Sequence, residues 1–188
     1  MSATTSRMGG GVSVAVCSTR CGVKGRAAAQ LLLHSGVPVP SSANEIVRWR
    51  NHAQFGNGRC LRLGLTEFVL EQDNGHTLRD TVRGAPGSAD GGAWFAHRAD
   101  HSLLLNGPAW PGELARVCSF DFDQLRSKPD QVVMTLLADV SVTLAREPTP
   151  DPAVLSLRLW CDPGYAMYMN HCLYLLNPDL AELTGDSR

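Results

Sequence analysis

The chain has 188 residues, 44% of them hydrophobic, with 17 basic and 18 acidic residues and a formal net charge of −1. That length supports one domain or two small joined ones, and folding should remove roughly 70% of the extended chain's surface from water. A near-neutral balance supplies no field of one sign to steer nucleic acid or an anionic membrane, so neither is expected as a partner.

The opening MSATTSRMGG lacks the apolar region of a secretory signal, and no run of about 18 apolar residues follows. The chain therefore reads as soluble and cytoplasmic. Six cysteines, at 17, 21, 60, 118, 161 and 172, sit in otherwise apolar segments and read as reduced, mostly buried thiols. Residues 1–11 are small, polar and glycine-rich and are expected to form a disordered tail, leaving 12–188 as the folded part.

The first predicted helix runs from Gly25 to Ser35, with Ala28, Leu31, Leu32 and Ser35 on one face and Gly36 ending it. The prolines of VPVPSSAN cannot continue it. From Cys60 to Glu71 the alternation predicts a short antiparallel pair turning near Gly64 to Glu67. Segment 84–93, GAPGSADGGA, reads as a long loop and is the expected place of any subdomain boundary.

Ser102 to Leu105 reads as a buried strand. Trp110, Leu114, Val117 and Cys118 then share a helical face, with Pro108 and Pro111 suited to the first turn. From Val132 the period becomes two. Met134, Leu136, Ala138, Val140, Val142 and Leu144 are assigned to one face, with a hairpin bend near Ala138-Asp139.

Leu155, Leu157 and Leu159 mark another strand. Asp162 is a good helix cap and Pro163 a good first helical residue, ahead of a stripe of Tyr165, Met169, Cys172, Leu173 and Leu176 that stops at Asn177-Pro178. Helices interspersed with antiparallel strand pairs define an α+β fold with helices packed on sheet faces.

Candidate chemistry is sparse. Cys17 and Cys21 have a spacing that zinc tolerates, but a second pair is missing unless the fold delivers His97 and His101. His171 and Cys172 are helical neighbours and diverge by about 100°, which works against a catalytic pair. Asp121 and Asp123 alternate with Phe120 and Phe122, a pattern of buried rings and solvated carboxylates, and with Glu113 they have no partner base or nucleophile.

Neither Gly9-Gly10-Gly11 nor Gly22 with Gly25 completes a dinucleotide fingerprint. No catalytic, cofactor-binding or metal-binding residue is therefore assigned. Trp49, flanked by Arg48 and Arg50, and Tyr168 and Tyr174, off the main stripe of the last helix, are the candidate partner-interface residues, because Trp, Tyr and Arg favour such anchors.

Five blocks carry a resemblance, in order and spacing: CGVKGRAAAQLLLHSGVPVP (21–40), LRLGLTEFVLE (61–71), HSLLLNGPA with LARVCSFDFD (101–123), QVVMTLLADVSVTLARE (131–147) and LRLWCDPGYAMYM (157–169). Together they resemble the gamma subunit of heterotetrameric sarcosine oxidase. The resemblance implies an α+β chain of antiparallel sheets with packed helices, built like the N-terminal part of a folate-dependent aminomethyltransferase.

It implies partners too: an alpha subunit carrying NAD and tetrahydrofolate, a beta subunit carrying FAD and FMN, and a small delta subunit. This chain would hold no cofactor and serve assembly and stability, in a complex oxidising sarcosine or a related N-methyl or secondary amino acid. The alternative is a stand-alone folate-binding relative of the aminomethyltransferases, for which the chain has about half the length that family needs.

Overall fold

The computed structural model describes residues 11–14, 19–73, 77–84, 92–151 and 154–178. Among them are ten strands and five α-helices, divided between two five-stranded antiparallel sheets. The expected α+β class with antiparallel sheets is observed. Two compact units share the chain: residues 1–15, 100–129 and 134–188 in the first, 16–99 and 130–133 in the second. The sequence-based boundary at 84–93 falls largely on residues outside those described, as does most of the expected 1–11 tail; Gly11 already opens a strand.

The first unit's sheet has the order β1-β7-β10-β9-β8, from Gly11–Val14, His101–Asn106, Ser156–Cys161, Val140–Glu147 and Val132–Leu137. Central β10 is buried on both faces: Leu157, Leu159 and Cys161 pair with β9 and β7 on one face, Ser156, Arg158 and Trp160 on the other. Arg158 is tolerated there because Glu147 accepts its Nε at 2.7 Å and the Trp160 ring lies 5.9 Å from its guanidinium carbon.

The hairpin between β8 and β9 bends at Ala138-Asp139, as expected, with φ of 47° and 64°. Two successive left-handed residues match the twist of a two-residue hairpin. The face assignment across it is corrected. A two-residue loop sets its flanking residues opposite each other on one face, so Leu137 and Val133 join Val140, Val142 and Leu144 in the interior while Met134 and Leu136 are exposed. The expectation carried one parity straight through the turn, which such a turn does not allow.

Helices α3 (Trp110–Leu114) and α4 (Gln124–Ser127) follow β7. α3 is shorter than expected, and Val117 and Cys118 lie beyond it in turn and coil. Trp110 is fully buried and its indole N–H donates to Asn106 O at 3.2 Å. Asp121 and Asp123 are exposed and Phe122 is buried, as the alternation implied, whereas Phe120, edge to face with Phe122 at 5.3 Å, is only half-buried. Asp162 caps the chain reversal after β10 by accepting from Gly164 N at 2.7 Å. Pro163–Tyr165 forms a 3-10 turn, and α5 runs Ala166–Leu176.

The second unit's sheet has the order β3-β4-β5-β2-β6, from Glu45–His52, Gly56–Arg62, Glu67–Gln72, Thr19–Lys24 and Trp94–His97. Its core gathers Cys21, Val23, Cys60, Phe68 and Leu70 with Leu31 and Leu32 of α1 (Ala28–His34) and Leu78 and Val82 of α2 (Thr77–Gly84). α1 ends as expected, with the Ser35 hydroxyl on Leu31 O at 2.7 Å and Gly36 at φ +78°.

Gly25, at φ +120°, stands in a turn before the helix, and a Cβ there would strike Gly92 O and sit 2.6 Å from the Trp94 ring. Residues 130–133 join this unit through Ile46 N on Asp130 O (2.9 Å) and Val132 N on Asn44 O (2.7 Å).

Candidate protein interface

Helix α5 contains the clearest break from ordinary surface chemistry. From Pro163 to Pro178 there is no Asp, Glu, Lys or Arg. A helix lying on a sheet normally turns a charged face to water. Here Met169, Leu173 and Leu176 are buried, and the outward side still presents Met167 (87% exposed), Leu175 (58%), Tyr165 (52%), Tyr168 (48%) and Tyr174 (44%). Met167, His171, Tyr174 and Leu175 follow helical spacing along the outer face, with Tyr168 beside them.

Tyr165 was expected in the buried stripe. It lies instead in the 3-10 turn, one residue before α5, where the helical period does not yet hold. The N-terminal half of the helix is positioned by two polar contacts. Tyr168 Oη donates to Ala138 O at 3.2 Å, which ties α5 to the β8–β9 turn, and Asn170 Oδ1 lies 3.2 Å from His101 Nε2. A hydrogen bond with Cys172 is the main cause raising the Tyr168 hydroxyl above its ordinary pKa, so the phenol is a neutral, amphipathic contact group at any physiological pH.

The five residues singled out from sequence fare differently. Tyr168 and Tyr174 stand on this exposed face, and Arg50 is exposed on β3. Arg48 is engaged by Asp130 at 3.3 Å. Trp49 is 8% exposed and belongs to the second unit's core, its ring laid on Gly58, where a Cβ would come within 2.7 Å of it. Trp49 therefore offers a partner almost no surface, while Met167 and Leu175 escaped notice. The charge-free run is the signal that reveals them.

A second feature escaped sequence reasoning altogether. Arg20, Glu71 and Arg59 sit side by side on β2, β5 and β4 in register. Glu71, with a fully buried side chain, accepts Arg20 Nε at 2.6 Å and faces Arg59 Nε at 3.4 Å, and Arg59 Nη2 reaches Asp73 Oδ1 at 3.2 Å. Two guanidinium groups against two carboxylates leave the row balanced, the condition for keeping charge in an interior. It is a structural ladder, with every group already committed to another.

Other sequence candidates are not brought together. Cys17 lies outside the described residues. His97 pairs with Cys21 across β6 and β2, while His101 is on β7 of the other sheet. Among the described residues no group of three or more His, Cys, Asp or Glu could hold a metal ion, and no helix is long and apolar enough to cross a membrane. Cys21, Cys60, Cys118 and Cys161 are free and buried, in keeping with reduced structural thiols, and Cys172 is half-buried. Burial pushes the Cys21 thiol up to about 11 and raises Cys60 and Cys161 as well, which removes the thiolate that reactivity requires.

Two antiparallel sheets with five α-helices among the described residues define this as an α+β fold. The chain superposes on a chain of the heterotetrameric sarcosine oxidase from Corynebacterium sp. U-96, solved with pyrrole 2-carboxylate, with a TM-score of 0.69 and 22% identity, over 95% of this chain and 87% of that one. It also matches the glycine cleavage system aminomethyltransferase T from Bartonella henselae, with a TM-score of 0.64 and 14% identity, over 88% of this chain but only 45% of that one. No family model matches the sequence, and no curated protein matches it.

Proposed function

We propose that this chain is a non-catalytic gamma-type subunit of a heterotetrameric, sarcosine oxidase-like flavoenzyme complex, where it serves assembly and stability. The observation that carries the reading is extent. The superposition runs over 95% of this chain and 87% of a chain from a heterotetramer, against 45% of an aminomethyltransferase. The uncharged, outward-facing α5 supports it, since an exposed apolar face of this kind is expected to meet another protein.

On this reading a beta-type subunit holds FAD and FMN, an alpha-type subunit holds NAD and tetrahydrofolate, and a small delta-type subunit completes the assembly. The complex is cytoplasmic and oxidises the carbon–nitrogen bond of sarcosine or a related N-methyl or secondary amino acid. This chain's residues bind neither flavin nor folate; they present α5, Arg50, Tyr168 and Tyr174 to a companion.

Co-expression of the four chains with and without this one tests the proposal. Omission should lower the yield and cohesion of the remaining complex severalfold, and Tyr174→Glu with Leu175→Glu should abolish co-purification while the chain still folds. Unchanged assembly without the chain would overturn the reading. Micromolar binding of a reduced folate by the isolated chain would replace it with the stand-alone aminomethyltransferase-like alternative.

A further inference from the structure

Strand β8 is an edge of the first unit's sheet, and among the described residues no strand lies beyond it. The turn that follows fixes which backbone groups face that edge. In a two-residue hairpin the flanking residues, Leu137 and Val140, exchange both hydrogen bonds, and such pairs recur at every second residue. Val133, Thr135 and Leu137 therefore bond inward to β9, and the N–H and C=O of Met134 and Leu136 point outward. Two bonds of the same parity agree. Val132 N donates to Asn44 O at 2.7 Å and Ala138 N to Val117 O at 3.0 Å, neither acceptor lying on β9. Among the described residues, neither Met134 nor Leu136 bonds a turn, loop or cap through its backbone.

An open edge invites another strand, and proteins guard against it with short strands, charges or bulges. The other three edges are guarded in these ways. β1 and β6 have four residues each, and β3 carries Glu45, Arg48 and Arg50 and shifts register against β4 between Trp49 and His52. β8 has six residues, with no charge and no proline from Gln131 to Ala138. Its outward side chains, Met134 and Leu136, are each more than half exposed. The hairpin sets them opposite Thr143 and Ser141, so the face beside the edge is uncharged as well.

The edge groups alternate at a spacing that another extended chain matches, and pockets beside alternate side chains select what docks. A charged residue placed against Met134 or Leu136 would lose hydration without a counter-charge. We propose that an extended segment of a companion subunit, uncharged and apolar at every second position, adds to β8 as a further strand and bonds the N–H and C=O of Met134 and Leu136. The inference rests on the subunit reading above and deepens it. The companion that covers α5 also reaches this edge, because Tyr168 Oη meets Ala138 O at 3.2 Å where β8 ends.

Amide hydrogen exchange, compared between the isolated chain and the co-expressed four-chain complex, tests it. Exchange at Met134 and Leu136 should slow about tenfold or more in the complex, while Thr135 and Leu137, already bonded to β9, should change little. Burial of the side chains alone would not produce that alternation. Proline is tolerated on an edge whose N–H faces solvent, so Met134→Pro should fold and lower recovery of the companions severalfold. Leu136→Lys keeps the backbone donor, charges the edge and should lower recovery likewise. Leu65→Lys, at an exposed residue of the second unit, should leave it unchanged.

Failure of the wild-type chain to assemble with the companions would remove the subunit reading and this one together. Assembly with unaltered exchange at Met134 and Leu136, or full recovery with both variants, would overturn this one alone. So would protection of these amides in the isolated chain that rises with concentration, which would mark a second copy. Protection there that disappears on deleting residues 1–10 or 179–188 would assign the edge to the chain's own terminus and overturn it too.

Discussion

The two sheets have equal numbers of strands and opposite economies of polarity. The second unit draws its ions inward, where Arg20, Glu71, Arg59 and Asp73 form a row with Glu71 wholly enclosed. The first unit buries the pair of Arg158 with Glu147 and turns apolar side chains outward along α5 and at Met134 and Leu136 of β8. Interior charge fixes register and geometry through directional contacts, at the risk of a large loss if one member is removed. Exterior apolar surface contributes little to the fold and much to association.

Removal of the central carboxylate should separate the two regions most sharply. Glu71→Gln takes from enclosed Arg20 the carboxylate at 2.6 Å and leaves Arg59 to the half-buried Asp73, and should cost about 3–5 kcal/mol in urea denaturation. The outward α5 variants Tyr174→Glu and Leu175→Glu should each change stability by about 0.5 kcal/mol or less. Comparable losses at both places would break the contrast.

Gly58→Ala probes the packing beside the ladder. Its Cβ would sit 2.6 Å from Glu71 O and 2.7 Å from the Trp49 ring, so a loss of about 1–3 kcal/mol is expected by the same method. Alkaline titration sharpens the comparison further. A thiol in the unfolded chain ionises near pH 9, whereas folded Cys21 holds its proton to about 11. Below pH 9 both states are protonated and its contribution is intact. Between about 9 and 11 only the unfolded chain sheds the proton, so stability should fall as pH rises through that window. The urea midpoint tracks the fall, and Cys21→Ala should make it shallower, leaving the part owed to the raised Cys60 and Cys161 thiols.

The smallest effect is a gain. Ala138 holds φ +47° in the first unit's hairpin, a conformation costly for an alanine. Ala138→Gly should relieve it and, after glycine's own entropic cost, raise stability by about 0.5 kcal/mol.

Legibility also differed between the units. The strands around Leu136, Val142 and Leu159, the Asp162 cap and the α5 interior at Met169, Leu173 and Leu176 were visible because apolar spacing and turn residues agree there. The parity error at Met134 and Leu136 arose from the turn, whose two residues reset which side chains face inward. In the second unit β2, β3, β6 and α2 went unread. Glu45, Arg48 and Arg50 interrupt the apolar alternation of β3, and β2 mixes Arg20 and Gly22 with Cys21 and Val23.

Arg20 and Arg59 look solvent-facing until the fold lays Glu71 between them, and a partner 51 residues away along the chain leaves no local trace. Tyr168 and Tyr174 could be proposed as surface anchors because they leave the helical stripe. Trp49, expected at a partner interface, lies in the second unit's core instead, since the flat Gly58 that receives its ring becomes its neighbour only through strand pairing.

The lack of ionised groups along α5 also sets how the proposed attachment would respond to conditions. A contact formed from Met167, Tyr174 and Leu175 has no ion pairs for electrolyte to screen, so a high-salt wash should leave it in place. Apolar association weakens on cooling, and a cold column is therefore the gentler way to strip this chain from whatever it docks against.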